Sequence, residues 1–136
     1  MLIVDAGPLY AAAARRDRNH QRSVGLLSSA ARPLLVPALV VTEVAYLLGD
    51  RIGPHAELAF ARSLERGELL VEPVLDSDWP RIAELADQYE DLPLGIVDAS
   101  VIALAERRQL DTIATLDHRH FATVKPRHID AFTLVP

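Results

Sequence analysis

Apolar residues along this chain fall into short runs separated by longer amphipathic stretches. Leu2-Ile3-Val4 is an apolar run ended by Asp5 and then Gly7-Pro8. This is the pattern of a buried strand turning into a helix with Pro8 in its first turn. The helix extends over Leu9–Ala14 and breaks at the polar stretch Arg15–Asn19. His20–Ala31 predicts a second short helix, and Leu34–Val36 a second strand stopped at Pro37. Leu39–Leu48 is apolar on nearly every side, which predicts a buried helix. Gly49–Gly53 is a turn, and Pro54–Arg66 an amphipathic helix closed by Gly67. Leu69–Val71 is a third strand. Asp76-Ser77-Asp78 before Pro80 starts a helix that runs to Glu90. After the loop Asp91–Gly95, Ile96–Arg108 reads as an Ala-rich helix, Thr112–Thr115 as a fourth strand and Phe132–Val135 as a fifth. Strands alternating with helices predict an α/β fold with a parallel sheet covered on both faces. No repeat, low-complexity tract or linker divides the chain, so one domain over residues 1–136 is expected.

Composition narrows this picture. A chain of 136 residues, 50% of them hydrophobic, suits one domain with a real core and excludes intrinsic disorder. There is no cysteine, hence no disulfide framework, thiol nucleophile or thiolate zinc site. The segment Met1–Asp5 lacks the basic and apolar regions of a signal peptide. The longest apolar stretch, Leu34–Leu48, is interrupted by Pro37 and Glu43 and falls short of the roughly 20 residues a membrane span needs. A soluble, cytoplasmic protein is expected.

Charge is unevenly distributed: residues 1–42 carry +3, residues 43–106 carry −10 and residues 107–136 carry +2, for a net −5. Bulk electrostatics therefore does not favour nucleic acid. Binding to RNA or DNA would require local arginines and metal ions. Arg15, Arg16, Arg18 and Arg22 at one end of the chain, and His118, Arg119, His120, Lys125 and Arg127 at the other, are candidate phosphate contacts. Each read singly is equally an ordinary solvated charge. His118 and His120 lack the spacing of a zinc site. Trp79 and Tyr46 read as core residues.

Parallel sheets carry their functional groups just past the carboxyl ends of the strands. Asp5 ends the first strand, Glu43 lies in the helix after the second, Asp98 starts the helix before the fourth, and Asp117 follows the fourth. A helix from Asp98 to Arg108 descends about 15 Å and a strand of four to five residues returns roughly 13–17 Å, so Asp98 and Asp117 can converge on one edge. Read alone, Asp5 is equally a helix N-cap, Asp98 a charge complementing a helix dipole, and Asp117 a loop cap. Glu43 is harder to explain so simply: on a helix read as buried, with no Lys or Arg within four residues, it needs a partner. A metal ion is such a partner. Oxygen-only ligands select Mg²⁺ or Mn²⁺ over zinc, and carboxylates holding Mg²⁺ are equipment for activating water against a phosphodiester.

At these residues the chain resembles the PIN-domain family, and within it the VapC-type toxins. Met1–Leu9 is similar to the family's opening strand and first acid, Val40–Leu48 to the segment with the second acid, Leu92–Ala105 to the segment with the third, and Ile113–Phe121 to the last. The acids fall at Asp5, Glu43, Asp98 and Asp117, with Thr115 as supporting hydroxyl. Gly7 departs from the pattern, since many members carry Ser or Thr there. The resemblance implies a three-layer α/β/α sandwich with a mostly parallel four- to five-stranded sheet. It also implies an Mg²⁺- or Mn²⁺-dependent endoribonuclease, the toxin of a type II toxin–antitoxin system, homodimeric and neutralised by a VapB-type antitoxin. Arg15, Arg16 and Arg119 are the arginines expected to meet RNA.

Other classes give different expectations. A receiver-like regulatory domain wants an acidic pair at strand one and an Asp after strand three, where this chain has Asp5 alone and Glu72. A haloacid-dehalogenase-like phosphatase wants Asp where Gly7 stands. A catalytically silent PIN-like scaffold would not need all four acids.

Overall fold

The computed structural model describes residues 1–136. Five strands, β1 (Leu2–Val4), β2 (Leu34–Pro37), β3 (Leu70–Glu72), β4 (Thr112–Ala114) and β5 (Thr133–Val135), form one sheet in the order β3-β2-β1-β4-β5. Every neighbouring pair is parallel; Leu2 lies opposite Leu34, and Ile3 is paired with both Leu35 and Ile113. Seven helices connect the strands: α1 (Ala6–Ala13), α2 (His20–Ser29), α3 (Ala38–Arg51), α4 (Pro54–Glu65), α5 (Trp79–Gln88), α6 (Gly95–Arg108) and α7 (His118–Thr123). Helix α1 packs on α2 and α3, α3 on α4, and α5 on α6. Right-handed crossovers put the first group on one face and the second on the other, giving three layers. No helix is long and apolar enough to cross a membrane.

The predicted alternation of elements is present, and the sheet is entirely parallel. A receiver-type sheet runs 2-1-3-4-5, so the order found here removes the receiver-like reading.

The central strands are aliphatic because both of their faces are covered: Ile3, Val4, Leu35, Val36 and Ile113 are all fully buried. Helix α3 differs from the expectation of burial all round. Only Val40, Val44 and Leu48 are buried, one stripe at spacing i, i+4, i+8, while Glu43 and Tyr46 lie on its open side. Tyr46 is 68% exposed and Trp79 44% exposed, so neither is a core residue. The apolar outward positions of α3 hid its amphipathic character. Helix α1 begins earlier than the apolar pattern suggested, directly after Asp5, with Pro8 in its first turn as expected.

Helix α6 is anchored at its far end by ion pairs. The Arg81 guanidinium forks onto Glu106 at 2.7 and 2.9 Å, and Arg107 meets Asp78 at 3.0 Å. Burial pushes the Glu106 carboxyl up, but Arg81 and the Arg127 backbone N–H outweigh it and hold the group below its ordinary range. This fixes the axis of the helix that presents Asp98 at its other end.

Candidate active site

Strand order reverses between β1 and β4, and parallel sheets open a crevice at the carboxyl ends of the strands where this happens. Asp5 follows β1 and Thr115 follows β4, so both stand at the mouth of that crevice. The Asp5 backbone N–H donates to the Ala114 carbonyl at 2.9 Å, continuing the sheet into the site.

Asp5 occupies the N-cap position of α1, yet its side chain makes no capping hydrogen bond. Instead its Oδ2 accepts from the Thr115 hydroxyl at 2.9 Å, and the Thr115 oxygen accepts from the Asp117 backbone N–H at 3.0 Å. Both Asp5 and Thr115 are buried. One hydroxyl thus ties the first acid to the loop that carries the fourth. Gly7 permits the close approach: a Cβ there would lie 3.2 Å from Leu116 Cβ, so α1 settles against the residue between Thr115 and Asp117.

Asp98 sits in the first turn of α6, which opens at Gly95 with φ +70°, a conformation that favours glycine. Its Oδ2 meets His120 Nδ1 at 2.6 Å, and Asp117 Oδ2 lies 3.2 Å from the same nitrogen. Asp117 also caps α7, accepting the His120 backbone N–H at 3.3 Å. The predicted convergence of Asp98 and Asp117 is therefore met, with an imidazole between them. His120, expected only as a candidate phosphate contact, instead stands between two of the acids. Its signal was its position three residues after Asp117, which is the same face only if α7 is a helix, and α7 is too short to show a period.

Burial raises the Asp5 carboxyl to about 6, with the nearby Asp98 and Glu43 charges adding to the rise and the Ala6 N–H and Thr115 hydroxyl opposing it. Asp98 is also raised, first by burial, with Asp117 adding to the rise and His120 opposing it. Glu43 is raised by desolvation and then by Asp98, although its side chain is largely open to solvent. Glu43 therefore belongs to the same electrostatic cluster, but as an edge residue and not as the buried charge expected. Arg62, Arg66, Arg81, Arg107, Arg108 and Arg127 pair elsewhere, with Glu65, Glu68, Glu84, Glu106, Asp78 and Glu72. Carboxylates gathered with no guanidinium or ammonium among them are a donor set suited to a divalent cation. The ligand atoms of Asp98, Asp117 and His120 all lie within 4.8 Å of one another.

The expected phosphate contacts divide. Arg119 is exposed on α7, two residues after Asp117. Arg15 and Arg16 are not at this edge. They follow the far end of α1 and line a groove of about 1160 Å³ with Leu34, Arg51 and Leu69, at the amino ends of the strands. Helix α1 starts beside Asp5 and runs away from it, so residues after its end emerge at the opposite edge. Arg127 likewise pairs with Glu84, at 2.9 Å, away from the site.

Residues 2–125 match the model of the PIN domain family. Ribonuclease VapC26 of Mycobacterium tuberculosis (strain ATCC 25618 / H37Rv) is 33% identical over 135 residues, covering 99% of this chain and 100% of that one. The fold is similar to that of the M. tuberculosis toxin VapC20, with a TM-score of 0.78, 21% identity and coverage of 83% of this chain and 87% of that one. It is also similar to DNA-bound VapBC of Salmonella typhimurium, with a TM-score of 0.67, 15% identity and coverage of 98% and 95%. A parallel sheet with its acids gathered at the switch between β1 and β4, a family model spanning nearly the whole chain and a full-length relative agree: this chain belongs to the PIN-domain family.

Proposed function

We propose that this chain is a metal-dependent endoribonuclease, the toxin half of a type II toxin–antitoxin pair, acting as one PIN domain over residues 1–136. The observation that carries the reading is the convergence of Asp98 and Asp117 at one crevice, with Asp5 and Glu43 electrostatically coupled to Asp98, in a chain whose full-length relative is a ribonuclease. The cytoplasm is where RNA and a VapB-type antitoxin would be met, and no helix of the chain suits a membrane.

Asp5, Glu43, Asp98 and Asp117 are the catalytic residues in this reading, and together they hold Mg²⁺ or Mn²⁺. When bound, such an ion lowers the pKa of a water molecule and stabilises charge on the phosphate. The chain supplies the placement. Thr115 holds one oxygen of Asp5. It also holds the loop that brings Asp117 to Asp98. Burial of Asp5 and Asp98 favours their neutral forms and so favours any cation that restores charge balance. Arg119, exposed two residues after Asp117, is placed to meet a phosphate of the RNA.

The partner is an antitoxin of the VapB type. Solved relatives include DNA-bound VapBC and FitAB complexes. Helix α4 has no buried residue and presents Leu58 at 57% exposure, and the groove beside it is lined by Ala56, Ala59, Phe60 and Ile52 together with Arg15, Arg16, Arg32 and Arg51. An antitoxin segment with apolar and acidic side chains fits that groove. A second copy of the chain, as a homodimer, completes the assembly.

RNA cleavage measured with Mg²⁺, with Mn²⁺ and with excess EDTA tests the reading. Cleavage should require the metal and cease with chelator. Undiminished cleavage in excess EDTA would show that the carboxylates do not act through a metal.

A further inference from the structure

We propose that His120 is a nitrogen ligand of the metal site, and that it turns an oxygen-only pocket into a mixed one preferring Mn²⁺ to Mg²⁺. The inference rests on the reading of the acids as a metal site and adds a residue to it. His120 Nδ1 is 2.6 Å from Asp98 Oδ2 and 3.2 Å from Asp117 Oδ2. Its ligand atom belongs to the one group of ligating side chains whose donors all lie within 4.8 Å of one another. The carboxylates of Asp5 and Glu43 sense the Asp98 charge.

The position of the ring is built into the chain. Asp117 caps α7 through the His120 backbone N–H, and Phe121, fully buried, anchors the same turn in the core. The His120 side chain is itself mostly buried, 18% exposed. It therefore does not swing freely into solvent. The 2.6 Å contact is a hydrogen bond between Nδ1 and the Asp98 carboxylate. A ligating nitrogen must be free of its proton, so a cation bound at Nδ1 would leave the ring proton on Nε2; the two carboxylates beside the ring would share that cation.

The consequence is selectivity. Mg²⁺ keeps to oxygen donors and an ideal octahedron, while an imidazole donor favours later divalent ions, with Mn²⁺ nearest to Mg²⁺ in its tolerance of carboxylates. The oxygen-only cluster of the four acids would not make this distinction strongly.

Pulsed electron paramagnetic resonance of Mn²⁺ bound to the full-length protein, alongside Mn²⁺ and Mg²⁺ dissociation constants from calorimetry, tests the assignment. Wild type should show modulation from a directly bound nitrogen. His120→Gln should lose that modulation and lower the Mn²⁺-over-Mg²⁺ preference by roughly tenfold or more, the scale of losing a metal-site contact. His118→Gln, a change at the exposed neighbour, should retain both. Tight Mn²⁺ binding without a nitrogen signal in wild type overturns the role of His120 and leaves the carboxylate site standing. Failure of wild type to bind Mn²⁺ overturns both. A nitrogen signal that persists in His120→Gln overturns the assignment, and the wild-type spectrum decides even if that variant does not fold.

Discussion

Asp5 concentrates the conflict between folding and function in a single side chain. It is buried, and its carboxyl is raised from 3.8 to about 6. A raised carboxyl means the folded state holds its proton at pH values where the unfolded chain has released it. The associated stability is complete below about pH 4 and is lost as pH rises through about 6. A shift of this size corresponds to about 3 kcal/mol at neutral pH. Asp5→Asn keeps the Thr115 contact and removes the charge. Its melting temperature with chelator present should therefore exceed that of wild type at pH 7.5, and the two should converge near pH 4. Equal melting at both pH values would mean that the buried carboxylate carries no strain. Cleavage should move the other way. Asp5→Asn and Asp98→Asn, which remove positioned charges from a water-poor crevice, should each lower the cleavage rate by about a hundredfold. Asp117, half exposed, is more easily replaced by water, so Asp117→Asn should be milder. Rates near wild type in Asp98→Asn would remove the acid from the site.

At the scale of elements, the strands and long helices were legible because each has a period or an apolar run long enough to read. Leu2–Val4 and Leu34–Val36 are fully buried strands of β-branched and aliphatic residues, and the order of elements followed. The convergence of Asp98 and Asp117 was legible for a related reason, since α6 and β4 together bring the chain back to the edge it left. Helix α7 was not, because six residues of mixed polarity, with Phe121 alone buried, show no period; His120 was therefore read only as a candidate phosphate contact. Helix α3 was misread as buried on all sides because Leu39, Val41, Ala45 and Leu47 flank its core stripe without being buried, and Tyr46 adds an apolar residue to the open side. Its core stripe is Val40, Val44 and Leu48. Leu48→Ala should therefore cost about 2–5 kcal/mol, read as a lower urea midpoint. Tyr46→Ala, on the open side, should stay within about 0.5 kcal/mol. A large loss from Tyr46→Ala would mean that the tyrosine is covered in solution, as at an interface between two copies of the chain.

Across the whole molecule, charge is sorted by edge. The carboxyl ends of the strands gather Asp5, Glu43, Asp98 and Asp117, while the amino ends open the groove lined by Arg15, Arg16, Arg32 and Arg51, with Asp17 and Glu68 as its only acids. The 14 residues of α3 connect the two edges, a span of about 21 Å. An antitoxin that blocks the carboxylates with an arginine fork while seating an apolar and acidic segment in the groove must bridge that distance, which takes about seven extended residues. Such a partner is itself polar in sequence, acidic at one end and basic at the other. Ala59 lies exposed on the groove wall, so substitutions there alter the groove without touching the core or the acids. Ala59→Glu should weaken antitoxin binding at least tenfold and more than Ala59→Arg, because the two add similar bulk and opposite charge to a basic groove. Both variants should cleave RNA as wild type does when the antitoxin is absent, and Ala59→Glu should remain active at antitoxin concentrations that silence the wild type. The reverse order, with Arg the more damaging, would mean that the groove receives a basic segment. Equal affinity for wild type and both variants would place the antitoxin on another surface.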